Sequence, residues 1–134
     1  MSNVKLFFKY ALVLFFVGGG VNHFVNTDFY VSIMPDFLPA HELLVQLSGL
    51  TEIASGVLLA IPRLSAVGAW CIIAQLLVFF LVHFNMAAKP DDYADFASPA
   101  ALYVRIPIQF VMIAWAYWFT RESPSVPIAH RDDA

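Results

Sequence analysis

Four apolar stretches, each about as long as a membrane-crossing helix, dominate this sequence and leave little room for another fold. A hydrocarbon core about 30 Å thick needs about 20 helical residues at about 1.5 Å of rise each. The spans read from the chain are about 4–25, 39–61, 66–84 and 99–119. Composition agrees, because 60% of the residues are hydrophobic and 13% charged, against about 25% charged in an ordinary soluble domain. The expected fold class is all-α, an integral membrane four-helix bundle in which 1–121 is one domain and 122–134 a flexible tail.

Local signals place the helix ends. Pro39 suits a first helical position, with Glu42 in the first turn where it complements the helix dipole, and Ile61-Pro62 closes that span. Ser65 reads as the N-cap of the third span, and Ser98-Pro99 as an N-cap followed by an N1 proline for the fourth, inside which Pro107 predicts a kink. Lys5 and Lys9 followed by the run from Tyr10 resemble the start of a secretory signal, but three further spans make an uncleaved first helix the expected reading. No internal repeat is evident.

Orientation follows from the basic residues. Lys5, Lys9, Arg63, Arg121 and Arg131 fall on one side, whereas the other two connections hold only Lys89 beside Asp28, Asp36, Asp91, Asp92 and Asp95. Both termini are expected in the cytoplasm. The 26–38 connection, with Phe29, Tyr30, Ile33, Met34, Phe37 and Leu38, suits an interfacial segment, either a lid or a loop resting on headgroups.

Each span carries a strongly polar side chain: His23, Glu52, His83 and Arg105. A charged group at the centre of a membrane helix costs about 2.5–3.5 kcal/mol on insertion scales, so one that persists needs a partner or a ligand. Depth arithmetic puts Asn22, His23, His83 and Asn85 near the outer helix ends, Arg105 about two turns inside, and Glu52 and Gln109 near the midplane. A Glu52–Arg105 ion pair, or a ladder with Gln109 on Glu52 and Arg105 on His23, His83 or Asn85, would satisfy these groups. Gly18, Gly19 and Gly20 allow close helix approach or leave room for a ligand. The alternative for all of them is structural, with interhelical hydrogen bonds holding the bundle together.

Other chemistries find no motif. A net charge of -3 gives no case for nucleic acid, Cys71 is alone, and no H-x-x-x-H or E-x-x-H spacing suggests a metal site. Hydrolytic triads, phosphate loops and haem, flavin or iron–sulfur motifs are not evident.

Gly20-x-x-His23-Phe24, Asp28-Phe29-Tyr30, Pro35-x-x-Leu38-Pro39, Ser48-Gly49-x-x-Glu52-x-x-x-Gly56, Ile61-Pro62-Arg63, Asn85-x-Ala87, Arg105-Ile106-Pro107-x-Gln109, Trp115-Ala116 and Thr120-Arg121 together resemble the small DoxX-like membrane proteins. The resemblance implies a four-helix bacterial inner-membrane protein with His23, Glu52, Asn85, Arg105 and Gln109 as its motif positions. His83 departs from it, since relatives often have a proline two residues before the asparagine. It further implies an accessory or quinone-site subunit of a redox complex, with a polar pocket for a quinone-like or other small amphiphile. Its electrons would come from a membrane or peripheral redox partner. A homo-oligomer, a non-enzymatic scaffold or chaperone, and a small-solute or proton-coupled carrier stay open as alternatives.

Overall fold

The computed structural model describes residues 1–122. Among them there is no strand, and four helices are long and apolar enough to cross a membrane. They are α1 (Asn3–Val25), α3 (His41–Ala60), α4 (Ser65–Ala88) and α5 (Pro99–Tyr117), with a short α2 (Thr27–Ser32) after α1 and a 3-10 turn (Pro90–Tyr93) after α4. The expected tail beyond 122 lies outside the described residues. The helices run up and down, so the start of α1, the tight 61–64 turn and the end of α5 share one end of the bundle, here the termini end. The 26–40 and 89–98 connections share the other, the loop end.

Apolar packing is concentrated between the middle of the bundle and the termini end, where Leu12, Phe16, Leu59, Ala69, Ile72, Leu76, Met112, Ala116 and Phe119 form one buried cluster. No more than 39% of any span's apolar window is buried, and Phe7, Leu14, Phe15, Trp70, Phe110 and Val111 face outward. A bundle this apolar on its outside fits hydrocarbon better than water.

Small residues set the tightest contact. Gly20 of α1 lies directly against Gly49 and Ile53 of α3, Gly56 against Val13 and Val17, and Gly68 of α4 against the Leu59 backbone. Without a Cβ the backbones can approach closely, which in lipid replaces the missing hydrophobic drive between helices. This docking staggers the hairpin. α3 projects beyond the loop end of α1 by about a turn and a half, and α1 projects beyond α3 at the termini end by about two turns. His23, in the last turn of α1 as depth arithmetic predicted, therefore lies beside the middle of α3, level with Glu52, which the arithmetic placed deeper than it.

Two helix starts differ from the sequence reading. The helix expected from Pro39 begins at His41, because Ala40 takes a left-handed conformation (φ 47°, ψ 54°) as its N-cap and breaks the run. Ser65 is the first residue of α4 and not its cap, its hydroxyl donating to the Leu59 carbonyl at 2.8 Å. Ser98 and Pro99 do start α5, with Ser98 Oγ accepting from the Ala101 N–H at 3.3 Å.

The two long hairpins share a device that the sequence reading missed. At the loop end of α1, Asn22 Nδ2 donates to the Tyr30 hydroxyl at 2.7 Å, and at the loop end of α4, Asn85 Nδ2 donates to the Tyr93 hydroxyl at 2.7 Å. In both cases the asparagine precedes the tyrosine by eight residues, so each clasp folds the following connection back over its helix end. That equal spacing is an internal correspondence between the halves, where none was evident by inspection.

Candidate functional site

The residues expected to share one pocket fall into separate groups. Glu52 is buried, 7% exposed, and its partner is His23, whose Nδ1 lies 2.9 Å from Glu52 Oε2. Arg105 makes no ion pair with Glu52. Its guanidinium carbon instead lies 4.8 Å from the centroid of the Phe96 ring. Gln109 Nε2 donates to the Leu76 carbonyl of α4 at 3.0 Å, so the Gln109–Glu52 rung is not formed either. Asn85 is held by Tyr93. The stagger explains the outcome: it brings His23 to Glu52 from the neighbouring helix, and α5 has no extensive contact with α3 to bring Arg105 there.

Around Glu52 the geometry is asymmetric. His23 Nδ1 sits 2.8 Å from the Gly19 carbonyl oxygen, which can only accept, so the ring proton is on Nδ1 and its N–H points along its own helix. Oε2 of Glu52 is buried 2.9 Å from the same nitrogen, so it competes with the Gly19 carbonyl for that one N–H and has no donor of its own. A buried carboxylate oxygen supplied by one shared N–H keeps capacity for a further donor. A Cβ on Gly19 would sit 3.8 Å from Oε1 and 3.9 Å from Oε2, and one on Gly18 would meet nothing within 4 Å. Of the three glycines, Gly20 makes the helix contact, Gly19 faces the Glu52 carboxyl group at ordinary contact distance, and Gly18 faces outward.

The 26–38 segment covers the other side. Tyr30 of α2 stacks on His23 with centroids 3.9 Å apart and an interplanar angle of 17°, while Asn22 holds its hydroxyl. Thr27 Oγ1 donates to the His23 carbonyl at 2.8 Å, pinning the start of α2. Phe29 packs on Phe96 at 5.4 Å, joining the two connections. Tyr93 is close to Asp36 as well, and burial holds its phenol above the ordinary value, with the carboxylates of Asp36 and Asp92 adding to that and the Asn85 hydrogen bond opposing it.

A second polar centre lies at the termini end. Lys9, counted from sequence as a flanking charge, is 3% exposed, donating to Ser65 Oγ at 2.5 Å and to Glu122 Oε2 at 2.8 Å. Glu122, assigned from sequence to the flexible tail, also faces Lys5 at 3.6 Å. The available signal was Lys9 itself, more than a turn inside an apolar span. Among the described residues no group of three histidine, cysteine, aspartate or glutamate side chains is arranged to hold a metal ion.

A family model described as Domain of unknown function (DUF8561) matches residues 12–120, from the first long helix to just past the last. No curated protein and no solved structure matches the chain. The family match overturns the DoxX-like resemblance. Glycines at helix crossings and prolines at helix starts serve any small membrane bundle, so their order was a weaker guide than it looked. The bacterial, redox-complex and quinone expectations that rested on the resemblance lose that support.

Proposed function

The chain belongs to the DUF8561 family, and from that premise we propose a function built on its own residues: a small membrane-embedded binding subunit whose His23–Glu52 pair receives the polar head of an amphiphile. The bundle spans the bilayer with both termini in the cytoplasm. Four long apolar helices and outward apolar faces support the insertion. Lys5, Arg63 and Arg121 at the termini end, against Lys89 among aspartates at the loop end, support the orientation.

The observation that carries the reading is the buried Glu52 Oε2, which competes with the Gly19 carbonyl for a single N–H and has room for another donor. A head group that donates a hydrogen bond, a hydroxyl or an amine, satisfies it. A quinone offers only acceptor oxygens and fits worse than its hydroquinone form or another hydroxyl-bearing amphiphile. The ligand approaches from lipid past Gly19, whose missing side chain leaves the least cover on the Glu52 carboxyl group, with Tyr30 and α2 as the lid over His23.

A scaffold without a ligand is the second reading, favoured by the internal hydrogen bonds of Asn22, Asn85 and Gln109. Mass spectrometry of small molecules retained after gentle extraction from native membranes, on the wild type and an equally folded Glu52→Gln variant, separates the two. The binding reading expects a donor-bearing amphiphile in the wild type that the variant loses. Retention of nothing by the wild type, or of the same molecule by both, favours the scaffold.

A further inference from the structure

Away from Glu52, the second hairpin contains two nitrogen-bearing side chains with no acceptor. Arg105 of α5 takes part in none of the side-chain hydrogen bonds or ion pairs among the described residues, and its one close partner is the Phe96 ring. His83 of α4 stands at a similar depth, about a turn and a half from the loop end of its helix against somewhat under two turns for Arg105, and α4 packs against α5. Neither ring nitrogen of His83 has a hydrogen-bond partner, and Nδ1 is buried. Asp91, Asp92 and Asp95, in the adjoining connection, are exposed and none forms an ion pair with Arg105.

The guanidinium is nonetheless positioned. It lies over Phe96, which packs at a tilt of 47° against Phe29 of the first hairpin with centroids 5.4 Å apart, so Arg105, Phe96 and Phe29 form a chain of contacts joining both halves. A cation–π contact uses no hydrogen-bond acceptor, so the N–H groups of the guanidinium stay available for a forked contact. Arg105 lies about 9 Å from the start of α5, and its side chain leans toward the loop end, because Cα–Cβ bonds tilt toward the helix N-terminus. Its head therefore reaches the depth at which lipid headgroups begin, as long basic side chains in membrane helices do.

We propose that Arg105 and His83 form a phosphate-binding site at the loop end of the α4–α5 hairpin, with the Arg105 fork taking two oxygens and His83 a third. Three donors arriving from two helices match a tetrahedral oxyanion. A carboxylate has only two oxygens, both used by the fork. The phosphate belongs to an anionic phospholipid or is free in solution, and one titration tells these apart. The site shares no residue with the His23–Glu52 pair.

The full chain in detergent micelles is titrated with dioctanoyl phosphatidylglycerol, dioctanoylglycerol or inorganic phosphate while its unfolding midpoint is followed. The wild type should respond saturably to the phosphatidylglycerol and not to dioctanoylglycerol. A matching response to inorganic phosphate identifies the free ion as the source, and its absence identifies the lipid. Arg105→Lys keeps the charge but loses the fork, and should weaken the response by about tenfold or more. His83→Gln should weaken it less. The proposal is overturned if dioctanoylglycerol acts as strongly, if the folded Arg105→Lys variant responds like the wild type, or if the wild type responds to neither phosphate compound.

Discussion

Replacing Gly20 by alanine tests the packing that brings His23 to Glu52. The new Cβ would stand 2.5 Å from the Gly49 carbonyl oxygen, 2.6 Å from Ile53 Cγ1 and 2.9 Å from the Ile53 nitrogen, whereas ordinary contact begins at 3.4 Å. Two of these neighbours are backbone, so no side chain can turn away to relieve them, and α1 and α3 must part by close to 0.9 Å. Overpacking of this kind costs about 1–3 kcal/mol, and alanine's better helix propensity returns about 0.8–1 kcal/mol. A net loss of up to about 2 kcal/mol is expected for Gly20→Ala. Gly18→Ala, two residues away on the same helix with nothing within 4 Å, keeps only the propensity gain and should stabilise by up to about 1 kcal/mol. Denaturant unfolding of both variants in one detergent reads the opposed signs. Equal stabilisation by the two substitutions would refute the close approach, and with it the stagger that aligns His23 with Glu52.

Other perturbations probe other parts of the molecule. Ala40→Gly should raise stability by about 1 kcal/mol in the same unfolding assay, since an L-residue at φ 47° carries a penalty that glycine lacks; a loss would contradict the left-handed cap. Removing one partner of the buried Lys9–Glu122 pair, as in Lys9→Met, should cost about 3–5 kcal/mol, and adding Glu122→Leu should recover much of it, a coupling visible in a double-mutant cycle. The raised Tyr93 phenol gives a pH dependence with a definite sign. The folded state holds this proton more tightly than the unfolded one, so the contribution is full below the ordinary tyrosine range near pH 10 and is lost as pH rises through that range and beyond. The wild-type unfolding midpoint should fall more steeply than that of Tyr93→Phe over those pH values, and parallel curves would count against it.

Span length and hydropathy survive any rearrangement of side chains, and for that reason the four helices were legible in the sequence to within a few residues, as was the Ser98-Pro99 start. The meeting of Glu52 with His23 was not, because the arithmetic placed all helix ends on a common plane and the Gly20–Gly49 crossing slides α1 against α3. Arg105 and Glu52 attracted notice as opposite charges, yet which ionisable groups meet depends on which helices adjoin. Lys9 was misjudged since a lysine near a chain start reads as a flank until Ser65 and Glu122 are seen around it. The Asn22–Tyr30 and Asn85–Tyr93 spacings were visible throughout. An eight-residue interval across a helix end belongs to neither the helical nor the strand period, so periodicity does not find it.

Each half of this molecule is a helical hairpin closed by its own clasp, and the covalent link between them is the short 61–64 turn. The molecule is in this sense a heterodimer that happens to be one polypeptide. What holds its two members in register at that seam is a polar latch: the ammonium of Lys9 belongs to one hairpin, and the Ser65 hydroxyl and Glu122 carboxylate that receive it belong to the other. Sequence drift within either hairpin is thereby constrained twice, by its own closure and by the shape of a sister element with which it shares a plan but not a charge.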